Sequence, residues 1–66
     1  MTDGLRNREV IVEFTPVGNI VRVTAMDTAS LTEIVISGPK ATSQATLNRN
    51  AVKRLEYVLR KKGLIS

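Results

Sequence analysis

The stretch REVIVEFTPVGNIVRVTAM, residues 8–26, decides the fold because apolar and polar side chains alternate along it twice. A period of two predicts β-strands with one face turned toward a core. The predicted core-facing residues are Val10, Val12 and Phe14 in the first strand and Val21, Val23 and Ala25 in the second. Between the strands, Pro16 and Gly18 are typical turn residues, so the stretch predicts a β-hairpin.

The hairpin can be extended to a third strand. Placing Val12 opposite Val23 keeps both apolar sets on one side and leaves PVGN as the connecting loop. After a second turn, DTASLT, the segment EIVISG at 33–38 alternates again, with Ile34 and Ile36 on the core face. The sequence therefore predicts an antiparallel meander of three strands.

The period changes to that of a helix after GPKATS, where Thr42 or Ser43 can cap the helix start and Gly63 can end it. At about 100° per residue, the apolar side chains form one arc of roughly 140°. They are Leu47, Ala51, Val52, Leu55, Val58 and Leu59. We predict a single α+β domain over residues 1–66, of β-β-β-α order. One amphipathic helix covers one sheet face in two layers, and residues 1–7 form a loose arm.

The composition excludes several classes of protein. The chain has 66 residues and contains neither cysteine nor histidine. Disulfides and the usual zinc sites are thereby excluded, and we predict no metal and no cofactor. No apolar run reaches the roughly 20 residues of a membrane span, and the N-terminus lacks the apolar core of a signal peptide. We predict a cytoplasmic protein of bacterial type.

Enzymatic chemistry has little support in the sequence. Without histidine or cysteine, the common general bases and thiol nucleophiles are missing. Glu9 and Glu13 are four residues apart on one strand, which a solvated strand surface explains. GPKATS lacks the spacing of a phosphate-binding loop. We therefore predict a non-enzymatic protein without catalytic or cofactor-binding residues.

The sheet face opposite the helix carries more aliphatic side chains than a solvated face needs. They are Ile11, Ile20, Met26 and Val35. Two interpretations stay open. Scattered exposed aliphatics are common, and alternatively this face, or an edge strand, pairs with a second copy of the chain. A C2 homodimer would also relieve the small core of so short a chain.

The predicted helix holds most of the positive charge. The net charge is +4, and six of the ten basic residues lie between Ser43 and Lys62 with one acidic residue, Glu56, so this segment carries +5 and the remainder −1. The candidate partner or nucleic-acid contacts are Arg49, Lys53, Arg54, Tyr57 and Arg60. Basic residues in the last turn, Arg60 among them, also complement the helix dipole, so a purely structural interpretation stays open.

Four segments of the sequence form a recurring pattern: EVIVEF, GNIVRVTAMD, TEIVISGP and RLEYVL. In these segments the chain resembles a small family of uncharacterised, mainly alphaproteobacterial proteins. In that family a strand like EVIVEF leads to a GN-V-V-A-D segment, then TE--I-GP, and finally A--KLEYVL. The matching positions here are Gly18, Asn19, Val21, Val23, Ala25, Asp27, Thr32, Glu33, Gly38, Pro39 and the RLEYVL run at 54–59. The second turn departs from the pattern, since the family tends to carry a proline and a glycine there. The resemblance implies the same fold and a bacterial origin, and it brings no activity with it.

Two functions follow as hypotheses. The first is a small protein-interaction module that pairs as a homodimer. The alternative is a low-specificity nucleic-acid binder that uses the outer side of the helix.

Overall fold

Three strands and one helix make up the fold. The computed structural model describes residues 5–66. Its elements are β1 (Val10–Val17), β2 (Ile20–Asp27), β3 (Thr32–Pro39) and α1 (Gln44–Lys61). The strands form one antiparallel sheet in the order β1-β2-β3. The predicted β-β-β-α arrangement is confirmed.

The first hairpin is tighter than predicted. A two-residue turn, Gly18–Asn19, joins β1 to β2, and Gly18 has a φ of +59°. Val12 consequently lies opposite Ala25 and not opposite Val23, so the predicted register and its four-residue loop were wrong. The error is two residues, which preserves the alternation, so each side chain stays on its predicted face.

Each outer strand carries a proline. Pro16, predicted to lie in the turn, lies within β1, and Pro39 ends β3. Proline has no N–H to donate, and outer strands tolerate it where that position faces away from the sheet. Both prolines lie toward the end of the sheet that holds the first turn. They limit the pairing of these edges with another strand.

The core lies between α1 and the covered face of the sheet. The helix buries four side chains at helical spacing, as predicted, and β2 and β3 supply the opposing surface. The buried apolar residues are Leu5, Val23, Ala25, Ile34, Leu47, Ala51, Leu55 and Leu59. The predicted core residues Val52 and Val58 are half-buried at its margin.

Both ends of α1 have local capping. Ser43 is the N-cap, and its Oγ accepts a hydrogen bond from the Thr46 N–H at 3.2 Å. At the other end, Gly63 has a φ of +76° and the Leu64 N–H donates to the Leu59 carbonyl at 2.9 Å. This is the Schellman arrangement, which satisfies carbonyls at the helix end. Both predicted caps are confirmed.

The predicted loose arm at 1–7 falls mainly on residues 1–4, which lie outside the described residues. Of the remaining three, Leu5 is buried in the core, and its carbonyl accepts from the Arg8 N–H at 3.1 Å. Burial of one more apolar side chain favours this contact in a domain with so small a core. The structure therefore adds Leu5 to the fold.

The second turn places Leu31 in a costly conformation. Leu31 has a φ of +60°, and 72% of the residue is exposed. The left-handed region costs a non-glycine residue roughly 1–2 kcal/mol, whereas glycine loses about 0.5–1 kcal/mol in conformational entropy on folding. Because the Leu31 side chain is so exposed, its burial contributes little free energy to offset this strain.

We expect Leu31→Gly to raise the free energy of unfolding by about 0.5 kcal/mol, since relief of strain exceeds the added entropy loss. Urea denaturation followed by circular dichroism measures the change. Ala29→Gly is the matched control in the same turn: Ala29 is exposed and has no positive φ, so the same type of substitution should destabilise there. A destabilised Leu31→Gly variant would contradict the prediction.

Candidate functional site

The face of the sheet opposite the helix, here called the outer sheet face, is uncovered within residues 5–66. The four residues predicted for self-association all lie on it. Ile11, Ile20 and Val35 are 41–48% exposed, and Met26 is half-buried. The structure adds Val17, which is 49% exposed on the same face.

The outer sheet face is mainly apolar at both ends and mainly polar in the middle; Glu33 in one end row and Val35 in one middle row depart from this order. The strand register sets four cross-strand rows. In chain order along β1 they are Ile11–Met26–Glu33, Glu13–Thr24–Val35, Thr15–Arg22–Ser37 and Val17–Ile20–Pro39. Glu13 is thus diagonal to Arg22 in the two middle rows. The ion pairs formed within residues 5–66 involve neither of these two charges.

The exposed side of α1 is basic and carries one aromatic ring. Tyr57 is 51% exposed. The Arg54 Cζ lies 5.5 Å from the centroid of its ring, and the Lys61 Nζ lies 5.9 Å from it. Both distances are within the range of a cation–π contact. Arg49 and Lys53 are exposed on the same side of the helix.

Arg60, predicted as a contact residue, is occupied within the chain. Its Nη2 lies 3.2 Å from Glu56 Oε2, and its Nε–H donates to the Ser66 carbonyl at 3.0 Å. Lys61, which also lies in the last turn of α1, reaches Tyr57. The i,i+4 spacing of these two residues is the signal that could have identified it.

We call the resulting surface the basic helix face. Its members share the exposed side of α1 and lie around Tyr57. They are Arg49, Lys53, Arg54, Tyr57 and Lys61. The basic helix face and the outer sheet face lie on opposite sides of the two-layer fold.

A buried acidic residue forms the third candidate site. Asp27, at the end of β2, is fully buried. Arg8 donates to both of its oxygens, at 3.0 Å from Nε and 2.7 Å from Nη2. Ser30 adds two bonds to Oδ2, at 2.6 Å from its hydroxyl and 3.0 Å from its backbone N–H. These hydrogen bonds, that of the Arg8 guanidinium foremost, hold the pKa of Asp27 well below its usual range.

The network around Asp27 extends to the helix. Thr32 Oγ1 lies 2.8 Å from Ser30 Oγ, and the Lys62 ammonium donates to Thr32 Oγ1 at 3.4 Å. Every buried side-chain nitrogen and oxygen among the described residues has a hydrogen-bond partner. We therefore assign these residues, the Asp27 network, a structural role.

The Asp27 network was not predicted from the sequence, although one signal was present. Asp27 continues the alternation of Val23 and Ala25, and so falls on the core-facing side of β2. A charge at such a position needs a buried partner. That partner, Arg8, is 19 residues away in the sequence, and the spacing gives no indication of it.

Two further properties concern residues 5–66 alone. They contain no cluster of three acidic, histidine or cysteine residues arranged to hold a metal ion. In the same range, no helix combines the length and the apolar character that spanning a membrane needs.

Comparison with known proteins gives one match. The model of a family described as a domain of unknown function, DUF6898, matches residues 7–62, a range that includes all three strands and the helix. The resemblance to a small family of unknown function is thereby confirmed. Searches of curated proteins and of solved structures find no match.

Proposed function

The chain belongs to the DUF6898 family, and we propose that it is a small interaction module that pairs with a second copy of itself through the outer sheet face. The observation that carries the proposal is the exposure of Ile11, Val17, Ile20 and Val35 on one uncovered face. Burial of aliphatic surface contributes about 25 cal/mol per Å², so covering this face is favourable. In a C2 dimer the same patch must be complementary to itself.

The order of the rows supports self-complementarity. When two sheets stack face to face about a two-fold axis perpendicular to the strands, the rows of one copy meet those of the other in reverse order. The Ile11–Met26 end then packs on the Val17–Ile20 end of the second copy. The two middle rows, which are polar apart from Val35, meet each other. The aliphatic side chains at the two ends are thereby buried against one another.

Charge complementarity favours the same arrangement. With the rows reversed, Glu13 lies beside Arg22 of the second copy, and the symmetry repeats the pair. Stacking about an axis parallel to the strands would instead bring the two Arg22 side chains together, which is unfavourable. The proposed dimer is therefore the one whose strands reverse.

The size of the face sets the strength of the dimer. Three strands of eight residues span about 26 Å by 14 Å, roughly 400 Å² for each copy. The total falls below the about 1,200–2,000 Å² of stable complexes. The proposed dimer is accordingly weak and depends on protein concentration.

The proposal involves no catalytic step. A chain without cysteine or histidine suits the bacterial cytoplasm predicted from its sequence. An interaction module of this kind would act by forming contacts, and its activity would vary with its own concentration.

Sedimentation velocity over a range of concentrations tests the dimer. We expect the mass to rise from the 7.2 kDa of one chain toward twice that value at tens of micromolar. Glu13→Arg and Arg22→Glu should each abolish the rise, because each brings like charges together across the two-fold axis. The double variant should restore it.

Arg49→Glu on the basic helix face is the matched control and should still dimerise. A wild-type chain that stays at the mass of one copy would refute the proposal. Dimerisation that all these variants retain would refute the outer sheet face as the interface.

A further inference from the structure

A second surface points to a different partner. We infer that the basic helix face binds single-stranded nucleic acid, with cations on the phosphates and Tyr57 stacked on a base. This inference is independent of the proposed dimer, because the two surfaces share no residue.

Within residues 5–66, no ion pair neutralises the charge on the basic helix face. Arg49, Lys53, Arg54 and Lys61 are exposed. The only acidic residue of α1 is Glu56, which pairs with Arg60 and has a side chain that is only 15% exposed. The face therefore presents four positive charges, and phosphate contacts would release counterions from a nucleic acid.

Tyr57 distinguishes this surface from a merely solvated helix. Half of the residue is exposed, and its position on the outer side of α1 gives it no role in the core. An aromatic ring within a positively charged surface is the combination that binds unpaired bases, because every base has a face on which to stack. Arg54 and Lys61 lie within 6 Å of the ring centroid, where they can contact the phosphates beside a stacked base.

The requirement for an unpaired base favours a single strand over a duplex. Arg49 and Lys61 are 12 residues apart, or about 18 Å along the helix axis. A surface of this length covers only a few nucleotides. Binding should therefore be of low sequence specificity and strongly dependent on salt.

Fluorescence anisotropy with a labelled oligothymidine tests the inference. Four phosphate contacts predict a slope of about −3 in log K against log salt concentration. Lys53→Gln and Arg54→Gln should each reduce the slope by about 0.7. Lys40→Gln, which removes an equal charge outside α1, is the matched control and should leave the slope unchanged.

The stacking of Tyr57 on a base can be measured separately. Tyr57 is the only tyrosine, and the chain has no tryptophan, so its fluorescence reports on this one ring. We expect quenching on oligothymidine binding, after correction for absorbed light. Tyr57→Ala should weaken binding by about tenfold, and Tyr57→Phe by less than about twofold.

Three results would overturn the inference. The first is that oligothymidine does not bind at low salt. The second is that the wild type and Tyr57→Ala bind oligothymidine with equal affinity. The third is that polyglutamate of matched charge competes as well as unlabelled oligothymidine does. The last result would indicate an acidic protein as the partner. The dimer variants Glu13→Arg and Arg22→Glu separate this test from that of the dimer. Each should still show quenching of Tyr57 fluorescence on binding, and adding Tyr57→Ala to either should still weaken binding.

Discussion

Replacing Asp27 with asparagine is expected to lower the free energy of unfolding by about 3 kcal/mol. Removing one partner of a buried ion pair typically costs about 3–5 kcal/mol. The lower end applies because the Arg8 side chain keeps 20% exposure and can recover some hydration. A domain of this size has only about 3–10 kcal/mol of stability in total, so much of the population would unfold.

Urea denaturation at neutral pH measures this loss. Glu9→Gln removes an equal charge from an exposed position and should change the stability by less than about 0.5 kcal/mol. The effect of Asp27→Asn should also depend on pH, because only the ionised carboxylate is stabilised by Arg8. A depressed folded-state pKa gives stability that is complete above the unfolded value, 3.8, and that declines as the pH falls below it. A difference between the two proteins that stays constant from pH 7 to pH 2 would contradict this account.

Gly38→Ala is expected to lower the free energy of unfolding by about 2 kcal/mol, the usual cost of overpacking a core. Gly38 faces the helix from β3, and a Cβ at this position would lie 2.7 Å from Leu47 Cδ2. Leu47 is buried, so moving its Cδ2 aside means repacking it against its core neighbours. Without that contact, replacing a glycine within a strand would be mildly favourable.

A double-mutant cycle separates the clash from other effects. Leu47→Ala alone should cost about 3 kcal/mol, but Gly38→Ala added to it should cost little, since the obstructing atom is gone. Ser37→Ala, one position away on the outer sheet face, serves as the control. A stabilised Gly38→Ala variant would show that Leu47 adjusts freely.

The alternation of apolar residues was sufficient to predict which face each strand residue occupies. It could not distinguish registers that differ by two residues, because Val12 opposite Val23 and Val12 opposite Ala25 bury the same side chains. Turn geometry decided between them: the left-handed conformation of Gly18 allows a two-residue turn. Local pattern thus predicts the layers, and the backbone of a single turn fixes the pairing.

The candidate sites were predictable to the extent that they depend on local spacing. The exposed side of α1 follows from helical periodicity, whereas the roles of Arg60 and Lys61 depend on which rotamers reach Glu56 and Tyr57. The Asp27 network joins residues from three parts of the chain, so no sequence interval contains it. The signal visible in the sequence was an acidic residue, Asp27, at a position on the core face. Its hydrogen-bond partners could be identified only in the folded structure.

The contact between the two ends of the fold has a consequence for how this domain can be used. Arg8 Nη1 lies 3.5 Å from the Leu64 carbonyl, so the segment that precedes β1 adjoins the segment that follows α1. A unit whose ends adjoin can be inserted into a surface loop of a host protein without spreading that loop apart. The first hairpin, with Gly18, lies at the opposite end of the sheet and would point away from such a host.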